Sequence, residues 1–237
     1  MIDLNLNDTD TLFRKFMQNG VAVVEDFFYT SEVARIKEEL MPHYEKMQDG
    51  DMHVYGGKTQ EQGYSYGKLL RITDKGFPDF KALSSTFNER WFKDFTDRFF
   101  GIPNVKNLQT FCTWEYLTPE KAQGATRNSH PHIDPYFALK YFIYLTDTRK
   151  ENGAFKVIKG SHIDGGNYRL SQPLEHLTKE GYKLEESGLN FSESQMEYVE
   201  ANAGALVIVN TDAIHAGGVI REDNLDRMTV MNHNRKY

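Results

Sequence analysis

From residue 105 onward the chain consists of short strand-favouring runs, and this restricts its fold more than any other feature. "VKNLQTFCTWEYL", "LKYFIYLTD", "AFKVIKG", "GALVIVNTD" and "RMTVMNHN" are rich in β-branched and aromatic residues and are separated by turn signals. The residues before them have a helical rhythm. "DTLFRKFMQNG" carries Leu12, Phe13, Phe16 and Met17 at helical spacing, with Asp10 or Thr11 as N-cap and Gly20 as the stop. "VAVVEDFF" then reads as a strand. "TSEVARIKEELMPHYEKM" reads as a second helix, capped by Thr30 or Ser31, with Val33, Ile36 and Leu40 as its apolar stripe and Pro42 placed to break or kink it. "FKALSSTFNERWFKDFTDRFFG" predicts a third helix ending at Gly101. Residues 50–80 are rich in Gly, Tyr and charge and read as a long loop with one short strand, of the kind that serves as a lid. Residues 164–198 are polar and read as an insertion between strands. Helices first and antiparallel-looking strands afterwards imply a mainly β barrel or sandwich with flanking α-helices. There is no internal repeat or linker, so residues 1–237 read as one domain, helical over about 1–104 and β over about 105–237.

Composition narrows the function class. Hydrophobic residues make up 39% of the chain, enough for a core. The net charge is −6 and no run of five basic residues occurs, so nothing points to a nucleic-acid partner. Cys112 is the single cysteine, which excludes an internal disulfide and paired-cysteine zinc sites; within "TFCTWEY" it reads as a small buried apolar residue. No apolar stretch approaches the roughly 20 residues that span a bilayer, and "MIDLNLNDTD" has no apolar signal core. A soluble, cytoplasmic protein with no membrane partner is expected, with its oligomeric state left open.

The run "HPHIDPYF" holds His130, His132 and Asp134 two residues apart, so in extended backbone all three face one way. Two histidines and a carboxylate on one face of a metal, with positions left open, form the ligand set of non-haem Fe(II) oxygenases. His132 and Asp134 supply two such ligands, and the third must come from a distant part of the chain. His162 in "KGSHIDGG" and His215 in "NTDAIHAGGVI" are the candidates. His215 is favoured because the apolar strand "GALVIV" leads to it and "AGG" opens after it, whereas His162 sits in a Gly-Ser turn. A cupin-type set built on His130, His132 and a following Glu is weakened because no Glu occurs among the next residues; His130 reads better as a wall or outer donor.

Taken in order, these segments resemble the phytanoyl-CoA dioxygenase family of Fe(II)/2-oxoglutarate-dependent oxygenases. "FMQNGVAVVEDFFYTSEVARIKEEL" is similar to the family's opening. "HPHIDP" resembles its HxD motif, and "LKYFIYLTDTRKENGAFKVIKGSH" its strand–Asp–"NG"–strand–"GSH" passage. "AGALVIVNTDAIHAGG" resembles the strand bearing the distal histidine, and "RMTV" the strand bearing the cosubstrate arginine. The resemblance implies a double-stranded β-helix, the jelly-roll or cupin-like core, with His132, Asp134 and His215 as Fe(II) ligands and His162 as a turn residue. It implies 2-oxoglutarate and O₂ as cosubstrates, with Arg227 holding the far carboxylate by its guanidinium fork and Arg221 as second choice. Gln109, Thr113 and Lys140 are the further cosubstrate contacts that similar enzymes suggest; Lys140 is also an unusual charge in an apolar strand.

The implied reaction is hydroxylation with release of succinate and CO₂. Halogenating relatives lack the carboxylate ligand, and Asp134 is retained here; desaturation, epimerisation and ring closure use the same ligands. Arg127, His130, Tyr136, Tyr141 and Arg71, with the lid residues Tyr64 and Tyr66, are the candidate substrate walls. Their mixture of aromatic and cationic groups suits a small polar or anionic metabolite, such as a sugar or amino acid derivative. The competing readings are a non-catalytic metal-binding sensor on the same fold and a cupin-like enzyme that does not use 2-oxoglutarate.

Overall fold

The computed structural model describes residues 6–57, 66–103, 105, 107–121, 129–178, 184 and 189–235. Helix α1 (Leu6–Asn19) stops where Gly20 takes φ +72°, a conformation that a side chain disfavours. Strand β1 (Val21–Val24) follows, then α2 (Thr30–Tyr44), whose N-cap is Tyr29 rather than Thr30 or Ser31. Pro42 lies in the last turn of α2, which runs only two residues beyond it.

Two expectations for the N-terminal half need correction. Residues 50–80 contribute two strands, β2 (Met52–Tyr55) and β3 (Gly67–Thr73), which pair in parallel and extend the main sheet. The N-terminal half is therefore not simply helical. The single helix expected after residue 80 is two, α3 (Lys81–Phe87) and α4 (Arg90–Phe100). The break falls at Glu89, whose ψ of 139° is extended and cannot continue a helix. Helix α4 ends at the left-handed Gly101, as expected.

The remaining elements are β4 (Asn107–Glu115), β5 (Ala138–Tyr144), β6 (Lys156–Val157), α5 (His162–Ser171), α6 (Leu174–Leu177), β7 (Glu197–Tyr198), β8 (Leu206–Asn210), β9 (His215–Ala216) and β10 (Arg227–Arg235). Helix α6 and all but the first two residues of α5 fall within the polar insertion. The strands form a seven-stranded sheet, β1-β8-β5-β10-β4-β3-β2, and a three-stranded sheet, β7-β6-β9. A bridge between His132 and His215 continues the smaller sheet. Within the large sheet every pairing but β2–β3 is antiparallel. Two opposed, mostly antiparallel sheets with helices on one side are the jelly-roll core that the sequence implies.

Period-two alternation gives each strand of the large sheet two fates. Met228 and Val230, Cys112, Tyr141 and Ile143, and Leu206 and Ile208 pack under the helices with Phe16, Ile36, Leu40, Phe92 and Phe95. Val207, Val209 and Tyr144 face the other way and meet Phe155 and Val157 of the smaller sheet. The functional groups lie on this inner face, between the two sheets.

Candidate metal centre and cosubstrate cavity

His132 and His215 are set by one backbone bridge. The His132 N–H donates to the His215 carbonyl at 2.8 Å, and the His215 N–H donates back at 2.9 Å. The Asp134 N–H donates to the Thr211 carbonyl at 3.1 Å, tying the HxD segment to the loop that leads into His215. Both imidazoles are held in the same manner. His132 Nδ1 lies 2.8 Å from the His130 carbonyl, and His215 Nδ1 lies 2.7 Å from the Ala213 carbonyl. A carbonyl can only accept, so Nδ1 carries the proton and Nε2 presents its lone pair to the site.

The three side chains converge. One ligand atom from each of His132, Asp134 and His215 lies within 4.8 Å of the others. Asp134 Oδ1 is 3.6 Å from His215 Nε2 and 4.0 Å from His132 Nε2. His215 Nε2 is buried with no hydrogen-bond partner, an uncompensated loss that a bound cation would relieve. The Phe155 ring, 5.5 Å from the His215 ring centre to centre, walls the imidazole.

The protonation states suit a cation. Burial, aided by His215, lowers the His132 pKa to about 3, so the ring is neutral at neutral pH. Burial pushes Asp134 upward, but the Lys140 ammonium and then the histidines overcome it and hold the carboxyl well below its usual range. A neutral His132 imidazole and an ionised Asp134 are deprotonated donors of the kind that a divalent metal requires. The residues fit Fe(II).

Beside the cluster is a small cavity of about 150 Å³. Arg227, Thr229 and Met231 of β10 line it, with Thr113 and Glu115 of β4, Lys140 and Phe142 of β5, and Phe155, Gly217 and Gly218 from the opposite side. Arg227 is 8% exposed and pairs with the equally buried Glu115, its cross-strand partner. Thr113 and Thr229, also opposite one another, share a 2.7 Å hydrogen bond. Two cations, Arg227 and Lys140, and two carboxylates, Glu115 and Asp134, thus line one cavity.

The other sequence candidates are dispersed. Gln109 sits opposite His233 on the inner face but does not line the cavity. His130 is exposed and contributes its carbonyl rather than its ring. Tyr136 is exposed and does not line the cavity, and the Arg235 guanidinium lies 4.2 Å from its ring centre. The Arg71 guanidinium lies 5.7 Å from the centre of the Phe111 ring, which is a cavity wall. Tyr66 lines the cavity, whereas Tyr64 and Arg127 lie outside the described residues.

Tyr141 is not a wall of this site. It points to the helix side of β5, where its hydroxyl is 2.8 Å from Thr96 Oγ1 and its ring packs on Phe92. Neighbours on a strand face opposite ways, so Lys140 and Tyr141 could not both reach the cavity. His162 is apart from the cluster: its Nε2 lies 3.0 Å from the Met17 carbonyl and its ring packs on Gly20. Arg221 is exposed and donates to the Tyr198 hydroxyl at 3.0 Å. Sequence reasoning missed Glu115, Phe142, Thr229 and His233. Counting in twos from Arg227 and Lys140 would have pointed to the last three.

Comparison with known proteins agrees with this geometry. A sequence model described as phytanoyl-CoA dioxygenase (PhyH) matches residues 16–228. The chain belongs to the phytanoyl-CoA dioxygenase family. Among curated relatives it is similar to the dioxygenase olcK of Penicillium canescens, 23% identical over 72% of this chain and 59% of that one. It is also similar to the Fe(II)/2-oxoglutarate-dependent dioxygenase nvfF of Aspergillus novofumigatus, 25% identical over 66% of this chain and 55% of that one. The chain thus spans somewhat over half the length of these relatives. Among solved structures, the non-heme alpha ketoglutarate dependent epimerase SnoN from nogalamycin biosynthesis superposes with a TM-score of 0.68 at 15% identity, covering 98% of this chain and 84% of that one. The two proteins therefore share a fold.

Proposed function

We propose that this protein is an Fe(II)- and 2-oxoglutarate-dependent dioxygenase that hydroxylates a small polar, anionic metabolite and releases succinate and CO₂. The convergence of His132, Asp134 and His215 with correctly oriented Nε2 atoms carries the reading. These residues would hold Fe(II), and Arg227, assisted by the Thr113 and Thr229 hydroxyls, would take the far carboxylate of 2-oxoglutarate. When bound, the metal and its cosubstrate supply the oxidising power to replace a substrate C–H bond by C–OH.

The protein's own part is electrostatic and steric. Asp134 remains ionised and His132 remains neutral, so neither donor needs to lose a proton at neutral pH. Phe142 and Phe155 exclude water, which strengthens each charged contact inside the cavity. Arg71 and Arg235 support an anionic substrate. Each lies against an aromatic ring, has a buried Nε without a hydrogen-bond partner, and makes no ion pair among the described residues. A carboxylate- or phosphate-bearing metabolite would satisfy either guanidinium.

The test is succinate release from 2-oxoglutarate under air, with and without Fe(II), across a panel of sugar acids, sugar phosphates and amino acid derivatives. Iron-dependent succinate with a matching hydroxylated product is expected. Metal binding without succinate from any panel member would favour the sensor reading, and turnover independent of 2-oxoglutarate would favour the cupin-like one.

A further inference from the structure

The Asp134 carboxylate is divided between two partners. Oδ1 faces the two imidazoles, at 3.6 and 4.0 Å from their Nε2 atoms. Oδ2 points the other way, 2.8 Å from Lys140 Nζ and 3.9 Å from His233 Nε2. Lys140 and His233 stand directly opposite one another on β5 and β10. The large sheet thus directs a buried ammonium, on a residue 9% exposed, at the oxygen that the histidines leave free.

A carboxylate can give a metal one oxygen or two. Two-oxygen binding consumes a position that an oxygenase must keep open. To bind that way, Asp134 would have to rotate Oδ2 away from Lys140. That would break a charge-assisted hydrogen bond between two buried residues and leave a buried cation without its partner. We infer that Lys140 is a positioning residue that restrains Asp134 to a single donor atom and so keeps one coordination position free. This rests on the proposed ligand set. It gives Lys140 a different role from the cosubstrate contact suggested by sequence.

The experiment compares wild type with Lys140→Met and Lys140→Arg, anaerobically loaded with Fe(II) and 2-oxoglutarate. Nitric oxide serves as the probe of the open position, read by the electron paramagnetic resonance of the nitrosyl complex. Lys140→Met should retain iron and 2-oxoglutarate but bind nitric oxide about tenfold more weakly, with recovery in Lys140→Arg. Unchanged nitric oxide affinity in Lys140→Met would overturn the inference. So would loss of 2-oxoglutarate binding with iron retained, which would assign Lys140 to the cosubstrate.

If Lys140→Met does not fold, infrared spectra of wild type carrying isotope-labelled aspartate and Zn(II) decide the matter, with Asp134→Asn as reference. A wide separation of the two carboxylate stretches supports one-oxygen binding, and a narrow one overturns it. Because that measurement needs neither cosubstrate nor turnover, it also separates failure of this inference from failure of the oxygenase reading.

Discussion

Replacing Glu115 by Gln should tighten 2-oxoglutarate binding while loosening the fold. Glu115 and Arg227 are both buried, pair with each other and line the cavity. An incoming carboxylate that reaches Arg227 must come close to Glu115. Two unit charges about 5 Å apart at an effective dielectric constant of about 20 repel by about 3 kcal/mol. Removing the Glu115 charge should therefore strengthen 2-oxoglutarate binding by ten- to a hundredfold, roughly 1–3 kcal/mol. Arg227→Gln should act oppositely, weakening the cosubstrate by roughly 2–5 kcal/mol.

On the stability of the unloaded protein both changes have the same sign. Each removes one half of a buried ion pair, at a cost of roughly 3–5 kcal/mol, and the double variant should recover much of that loss. Anaerobic titration of the Fe(II) protein, followed by the visible band of the 2-oxoglutarate chelate, measures the first effect. Urea denaturation of the four proteins of the cycle measures the second. If Glu115→Gln weakens 2-oxoglutarate as Arg227→Gln does, Glu115 serves to orient Arg227 and the competition argument is wrong.

Further expectations follow from the same geometry. His132→Ala should abolish Fe(II) binding while His162→Ala leaves it intact, because only His132 faces the cluster; equilibrium dialysis with Fe(II) decides. Arg169→Met should lower stability by roughly 3–5 kcal/mol and weaken Fe(II) binding as well. Its guanidinium grips both oxygens of Asp212, at 2.6 and 3.2 Å, on the loop that delivers His215; urea melts and metal titration of that variant test both effects. Tyr141→Phe should cost about 1 kcal/mol of stability through its lost bond to Thr96, with no change in 2-oxoglutarate affinity, since Tyr141 lies on the helix side of β5.

What could be read from the sequence were features carried by local pattern. Strand-forming runs after residue 105, the stops at Gly20 and Gly101, and the two-residue spacing of His132 and Asp134 depend on neighbours in the chain. So does the burial of Cys112 within its strand. The order of the motifs then carried the jelly roll, because each family segment contributes at least one strand or bridge of the core.

Pairing over distance was settled only in three dimensions. The segment "KLLRIT" is too short, and too closely bordered by glycine and tyrosine, to signal an inner strand. It becomes β3 because β4 offers it a complementary edge and the helices cover Leu70 and Ile72. The alternation along "ALKYFIY" says that Lys140 and Tyr141 point apart, but both faces of β5 are covered, so the sequence gives no sign of which faces the metal. Glu115 and Arg227 are 112 residues apart, and Lys140 meets Asp134 only because β5 folds back beside the HxD segment. Local propensity is set by a few adjacent residues. The balance of charge within a cavity is set by whichever strands the fold brings to face one another, and that requires the tertiary structure.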